Sequence, residues 1–186
     1  MRYLSTRGDE RLVSSARAIT SGIAPDGGLY VPEQIPVINE EDWASLLTMS
    51  YQEQALYILG KYLSDFSIDQ CQHCVQGAYH TGNFDHADIA PLFNIRDHIY
   101  SLELWHGPTC AFKDMALQIL PYLMTTSAAI IGESNDIVIL VATSGDTGKA
   151  ALEGFQNVDG THIIVFFPEE GVSEVQKRQM VTQQGN

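Results

Sequence analysis

Ile137-Val138-Ile139-Leu140-Val141-Ala142-Thr143-Ser144-Gly145-Asp146-Thr147-Gly148-Lys149-Ala150 is the stretch on which the fold turns. Its first six residues are apolar and mostly β-branched, the composition of a buried strand. A turn of small residues follows, and a helical pattern runs from Lys149 to Gln156. Strand, small-residue turn and helix in that order predict an α/β unit. In such a turn, backbone N–H groups point into a cavity and the helix N-terminus adds positive potential, which suits a carboxylate or a phosphate. It is not a P-loop, because position 143 holds Thr where that motif needs Gly and position 150 holds Ala where it needs Ser or Thr. Nor does it match the G-x-G-x-x-G dinucleotide fingerprint. The plainer alternative is an ordinary strand-to-helix loop with Ser or Thr as its cap.

Upstream lies Leu104-Trp105-His106-Gly107-Pro108-Thr109-Cys110-Ala111-Phe112-Lys113-Asp114-Met115. A lone lysine here follows a strand-like run (Ile99 to Trp105) and a Gly-Pro turn, flanked by Phe112 and by Met115, Ala116 and Leu117. A lysine kept out of water loses affinity for its proton, and a neutral amine attacks carbonyls. That is the chemistry of a Schiff base with pyridoxal phosphate. The alternative is a lysine whose stem packs along the core edge while its head reaches solvent.

Together the two stretches resemble threonine synthase, a pyridoxal phosphate enzyme family of fold type II. His106-Gly107-Pro108-Thr109, with Ala111-Phe112-Lys113-Asp114, is similar to that family's lysine motif. Ala142-Thr143-Ser144-Gly145-Asp146-Thr147-Gly148 is similar to its substrate-side loop. Tyr3-Leu4-Ser5-Thr6-Arg7-Gly8 and Ala24-Pro25-Asp26-Gly27-Gly28-Leu29-Tyr30-Val31-Pro32 resemble its opening. The likeness thins between about residues 40 and 95.

The resemblance implies conversion of O-phospho-L-homoserine and water to L-threonine and phosphate. It implies that Lys113 holds the cofactor and shuttles protons, and that Thr143, Ser144, Gly145 and Thr147 grip the substrate carboxylate. Asp146 stands where related enzymes place an Asn that reaches the cofactor's phenolic oxygen. Thr109 is expected to position the lysine loop or to meet phosphate, or else only to cap the lysine helix. Two alternatives stay open: a related lyase such as a serine or threonine dehydratase or a cysteine synthase, and a silent relative that binds phosphorylated ligands.

Composition frames this reading. The chain has 186 residues, 45% hydrophobic and 18% charged, as a soluble globular protein has. A formal charge of −13 argues against nucleic-acid binding. No apolar run in the sequence reads as a membrane span, and no signal-peptide core is present, so a cytoplasmic location is the default. Three cysteines make no disulfide framework. Cys71-Gln72-His73-Cys74 has zinc-like spacing, but the run from Ile68 to Tyr79 reads as a helix, where buried thiols are expected. No metal site is expected.

The remaining elements follow from local chemistry. Ser14 or Ser15 caps a helix through Thr20 with Gly22 as its stop, and Ser173 caps another through Gln183. A strand is expected at Leu29-Tyr30-Val31, and helices from Glu40 to Leu47 and over Tyr51 to Phe66. His80 and His86 read as solvated. From about Leu92, strands alternate with helices, which predicts a parallel sheet with crossovers. A helix over Phe112–Thr125 should kink or stop at Pro121. The expected organisation is an N-terminal α+β unit, residues 1–91, before the start of a catalytic domain, residues 92–186. So few strands predict the N-terminal portion of a longer enzyme, with the cofactor's phosphate cup and pyridine partner further along.

Overall fold

The computed structural model describes residues 1–143 and 145–186. The chain is α/β and divides into two compact units. Met1–Gly77 with Tyr122–Ser134 form one; Ala78–Pro121 with Asn135–Asn186 form the other.

In the first unit, β1 (Tyr3–Ser5) pairs antiparallel with β2 (Tyr30–Pro32). The Pro25-Asp26-Gly27-Gly28 turn is tied back onto β1. The Asp26 carboxylate accepts from Ser5 Oγ (2.6 Å), Gly28 N (2.9 Å) and Asp9 N (3.0 Å). A Cβ at Gly28 would stand 2.0 Å from Ser5 Oγ, so this position admits only glycine.

Helix α1 (Ser15–Ser21) begins as the sequence predicts. Ser14 Oγ accepts from Arg17 N, and Gly22 ends the helix at φ 65°. Asp65 adds an anion at the same N-terminus, accepting from Ser15 Oγ and from Ala16 N. Helices α2 (Glu40–Leu46) and α3 (Tyr51–Tyr62) each start in a capping box, closed by Asn39 with Asp42 and by Ser50 with Glu53. The apolar stripe of α3 is half-buried, and only the capping Leu63 is fully enclosed. Helix α4 (Ile68–Ala78) buries Cys71 and Cys74, and desolvation raises both thiol pKa values.

In the second unit, β3 (Leu92–Arg96) and β4 (Ile99–Leu102) form an antiparallel hairpin. This corrects the expectation that the run from Ile99 joins the parallel sheet. Asp97 adopts a left-handed φ of 46°, which turns the chain back at once. The single helix expected over Phe112–Thr125 is two: α5 (Asp114–Leu117) and α6 (Leu120–Ile131). Pro121 sits in the first turn of α6, where its missing N–H costs nothing.

The parallel pair is β5 (Ile137–Ala142) with β6 (Thr161–Phe166), in register from Ile137↔Thr161 to Ala142↔Phe166. Helix α7 (Asp146–Gly154) connects them, and α8 (Glu174–Val181) packs against α7. Ser173 caps α8, accepting from Gln176 N. Burial alternates along β5 and β6, with Val138, Leu140, Ile164 and Phe166 all exposed. The fully buried strand expected from composition is thus covered on one face only. Parallel strands are ordinarily covered on both.

One sequence expectation needs amendment. Asp114–Ile131 has a mean hydropathy of 1.2 over 18 residues, the length and apolarity of a membrane span. It is nevertheless broken between α5 and α6, and its head, Asp114, is a fully buried carboxylate.

Candidate active site

The lysine segment is built from two turns in succession. Cys110 N donates to Gly107 O (3.1 Å), closing a β-turn with Pro108 at the position its fixed φ suits. Asp114 N then donates to Ala111 O (3.0 Å). Between them Cys110 takes a left-handed φ of 57°, uncommon for a residue with a side chain. What holds the segment in this shape is Asp114, which is 0% exposed. Its Oδ2 accepts from Thr109 N (2.9 Å) and its Oδ1 from the Thr109 hydroxyl (2.7 Å). The carboxylate also lies so close to Gly107 that a Cβ there would come within 2.4 Å of Asp114 Cβ. Thr109 therefore ties the loop before Lys113 to Asp114 and does not cap α5, which has no side-chain cap.

Lys113 stands at the head of α5. It is half-buried, with Nζ 4.9 Å from the centre of the exposed Phe112 ring. Among the described residues Lys113 is thus only half enclosed, where the flanking apolar residues suggest a dry pocket. A cleft of about 250 Å³ lies elsewhere in this unit, lined by Leu152, Gln156, Ile163, Met180 and the 183–186 tail. None of the residues singled out from the sequence lines it.

The second stretch folds as a strand-to-helix turn, with α7 starting at Asp146, three residues before the sequence pattern suggests. Thr143 explains the early start. Its Oγ1 accepts from Gly145 N and Gly148 N, both at 3.2 Å, and so caps the helix from outside it. Gly148 must lack a side chain, since a Cβ would meet Thr143 Cγ2 at 2.3 Å. Gly145 is buried; Asp146 and Thr147 are exposed at the helix N-terminus. Asp146 Oδ1 accepts from Gln176 Nε2 of α8 (2.6 Å). Ser144, which the sequence reading also placed here, lies outside the described residues.

The two stretches belong to one unit, and α5 packs directly on α7. A Cβ on Gly154, the last residue of α7, would stand 2.1 Å from Leu117 O. Glycine at 154 thus lets the C-terminal ends of the two helices touch backbone to backbone.

Pyridoxal phosphate asks for a reachable primary amine and for donors facing its anionic groups. The residues present fit that demand in part. Lys113 supplies the amine, and α7 presents a nine-residue helix N-terminus. Gln118, at the end of α5, also buries an amide nitrogen that has no hydrogen-bond partner among the described residues.

Sequence reading passed over one cluster. The His106 ring lies between two carboxylates, with Nδ1 2.6 Å from Asp85 Oδ1 and Nε2 2.9 Å from Glu103 Oε2. Glu103, then Asp85, hold the imidazole pKa above its ordinary value. The available signal was His106 itself, a charged-type residue at the end of an apolar run. His80 and His86 instead accept local amides, from Gly82 N and Asp88 N. Among the described residues no group of three or more His, Cys, Asp or Glu is placed to hold a metal ion.

Comparison with known proteins agrees with this geometry. Residues 2–79 match the family described as "Threonine synthase N terminus". The chain is 42% identical to the threonine synthase of Pseudomonas aeruginosa over 98% of its own length and 38% of that protein. It is 37% identical to the human threonine synthase-like 1 over 91% of its own length and 23% of that protein. Among solved structures, the PLP-bound threonine synthase of Brucella melitensis superposes with a TM-score of 0.88 at 40% identity. That match covers 97% of this chain and 38% of the other. The yeast threonine synthase gives 0.83 at 32% identity, covering 96% and 38%. The chain thus spans about two-fifths of the length of these threonine synthases. In sequence and in fold it resembles threonine synthase of the fold type II pyridoxal phosphate enzymes, with residues 2–79 as the family's N-terminal domain.

Proposed function

We propose that this chain serves a pyridoxal phosphate-dependent threonine synthase, which converts O-phospho-L-homoserine and water to L-threonine and inorganic phosphate. The observation that carries the reading is the packing of the lysine-bearing α5 on α7, the helix that follows the Thr143–Gly148 turn. When bound, the cofactor supplies an electron sink for negative charge beside the substrate's amino carbon.

This chain's residues do the rest. Lys113 would hold the cofactor through its amine and would move protons at Cα, Cβ and Cγ of the substrate. Its half-buried position keeps the amine within reach of both tasks. Thr143, Ser144, Gly145 and Thr147 orient the substrate carboxylate at the α7 N-terminus, where the helix field favours an anion. Thr143 Oγ1 accepts from the Gly145 and Gly148 amides and its hydroxyl donates to Gly145 O (3.4 Å), so it shapes the turn that meets the carboxylate. Asp146 would help hold the cofactor, its carboxylate oriented by the bond from Gln176. Thr109 supports Lys113 through Asp114. In balance, the Cγ–O bond breaks to release phosphate, the proton lost from Cβ ends on Cγ, and water gives its hydroxyl to Cβ and its remaining proton to the released phosphate.

In this reading residues 1–91 are the N-terminal domain and 92–186 open the catalytic domain. The remaining donors to the cofactor come from the portion of the family's length that these residues do not span, so this chain alone is inactive. The location is cytoplasmic.

The test is borohydride trapping of pyridoxal phosphate, peptide mapping, and phosphate release from O-phospho-L-homoserine in the whole protein. A label on Lys113, with turnover abolished by Lys113→Ala, is expected. A label elsewhere, or turnover that survives Lys113→Ala, would overturn the proposal. A labelled protein that releases ammonia from serine or threonine, but no phosphate from O-phospho-L-homoserine, would move it to the dehydratases.

A further inference from the structure

The His106 cluster sits at the entrance of the lysine segment. Glu103 lies at its start, and Asp85 reaches it from the 80–90 loop. A neutral imidazole has one N–H and one bare lone pair. With a carboxylate oxygen at hydrogen-bond distance from each ring nitrogen, the neutral form would set a lone pair against an anion on one side. Only the doubly protonated ring satisfies both contacts, as two charge-assisted bonds. The backbone repeats the link, since Asp85 N donates to His106 O (3.0 Å).

We propose that His106 is a positioning residue, carried as an imidazolium, that fixes the start of the lysine segment by clamping it between Asp85 and Glu103. The proposal rests on Lys113 being the cofactor lysine. It adds a group that never touches the reacting atoms yet sets how firmly the 107–114 turns present the amine.

The two carboxylates favour charge on this ring and outweigh the desolvation of a side chain that is 13% exposed, against 79% for Asp85 and 22% for Glu103. The other titratable neighbour is His86, 5.1 Å away ring to ring. His86 Nδ1 accepts from Asp88 N (3.1 Å). The Asp88 carboxylate, 3.9 Å from His86, adds a further negative charge. Trp105 flanks the other side at 5.7 Å between ring centres.

The sign of the pH dependence follows. The folded pKa lies above the unfolded one, so the clamp is complete below the ordinary histidine pKa of about 6.5. It is lost as pH rises through the raised folded value.

In the whole protein, carbon-13 NMR of the imidazoles, with the His106 signal identified by its loss in His106→Gln, should show an upward-shifted midpoint. Glu103→Gln should bring that midpoint down. A wild-type midpoint at or below that of free histidine, or one unmoved by Glu103→Gln, would overturn the proposal. Hydrogen exchange of peptides covering 107–114, corrected for intrinsic rates, should lose protection as pH crosses the midpoint. In His106→Gln, protection should be low at every pH. Protection that ignores both pH and this substitution would also overturn it. Lys113 labelling by pyridoxal phosphate should follow the same pH profile. Absence of that label in the wild type at all pH values would refute the cofactor reading, while the first two measurements still decide the role of His106.

Discussion

Two glycines near helix ends, Gly60 in α3 and Gly154 in α7, should respond to alanine with opposite signs. At Gly60 an added Cβ would meet nothing within 4 Å, so alanine there brings helix propensity and no clash. The gain is about 0.5–1 kcal/mol. At Gly154 the new carbon would stand 2.1 Å from Leu117 O and 3.0 Å from Leu117 C. Carbon and carbonyl oxygen normally come no closer than about 3.3 Å, so the helices must part by roughly an ångström. Overpacking of this kind costs about 1–3 kcal/mol. Because the obstacle is backbone, no rotamer change relieves it, and the upper half of that range applies. Subtracting the propensity gain leaves Gly154→Ala about 1–2.5 kcal/mol less stable.

Urea melts followed by circular dichroism should place the midpoint of Gly154→Ala below that of the parent protein and that of Gly60→Ala above it, with unchanged slopes. If Gly154→Ala raises the midpoint as Gly60→Ala does, the close approach of α5 to α7 is refuted. The packing of α5 on α7 that carries the proposed function would go with it.

The Asp26 knot gives a second expectation. Hydrogen bonds from Ser5, Gly28 and Asp9 lower its pKa, and bonding to Arg11 lowers that of Asp9 to about 2. Folded pKa values below the unfolded ones mean stability that is complete above the ordinary carboxylate range and lost as pH falls through the lowered values. Acid melts should show that limb, and Asp26→Asn should flatten it while lowering stability at neutral pH. Third, a thiol reagent at neutral pH should modify Cys110 first, because it is exposed while Cys71 and Cys74 are buried with raised pKa values. Titration in urea should then count three thiols. Rapid reaction of all three in the folded protein would contradict the packing of α4.

Features that depend on neighbouring residues were legible before any coordinates. Ser14, Gly22 and Ser173 mark helix ends because capping is decided within one turn of chain. Pro121 marked the break after α5 for the same reason. The hairpin of β3 and β4 was missed, although Asp97-His98 between two apolar runs is a short-turn signal. A strand pattern by itself does not say with which partner, or in which direction, it pairs. The start of α7 was set too late because its cap, Thr143, lies outside the helix. At the candidate site, Lys113 and the small-residue turn could be read as motifs. The brace from Asp114 and the clamp on His106 could not. Asp85 and His106 are distant in sequence, and only the fold brings a carboxylate to each ring nitrogen.

The half-covered parallel pair has a consequence for handling the protein. Val138, Leu140, Ile164 and Phe166 form a greasy strip on strands that, among the described residues, pair only with each other. Such strips favour sticking between molecules. A formal charge of −13 keeps copies apart through mutual repulsion, which dissolved ions weaken. Clear solutions of this chain therefore belong to dilute buffers well above its isoelectric point of about 4.6. Concentrated salt, usually added to quiet proteins, would bring the strips together.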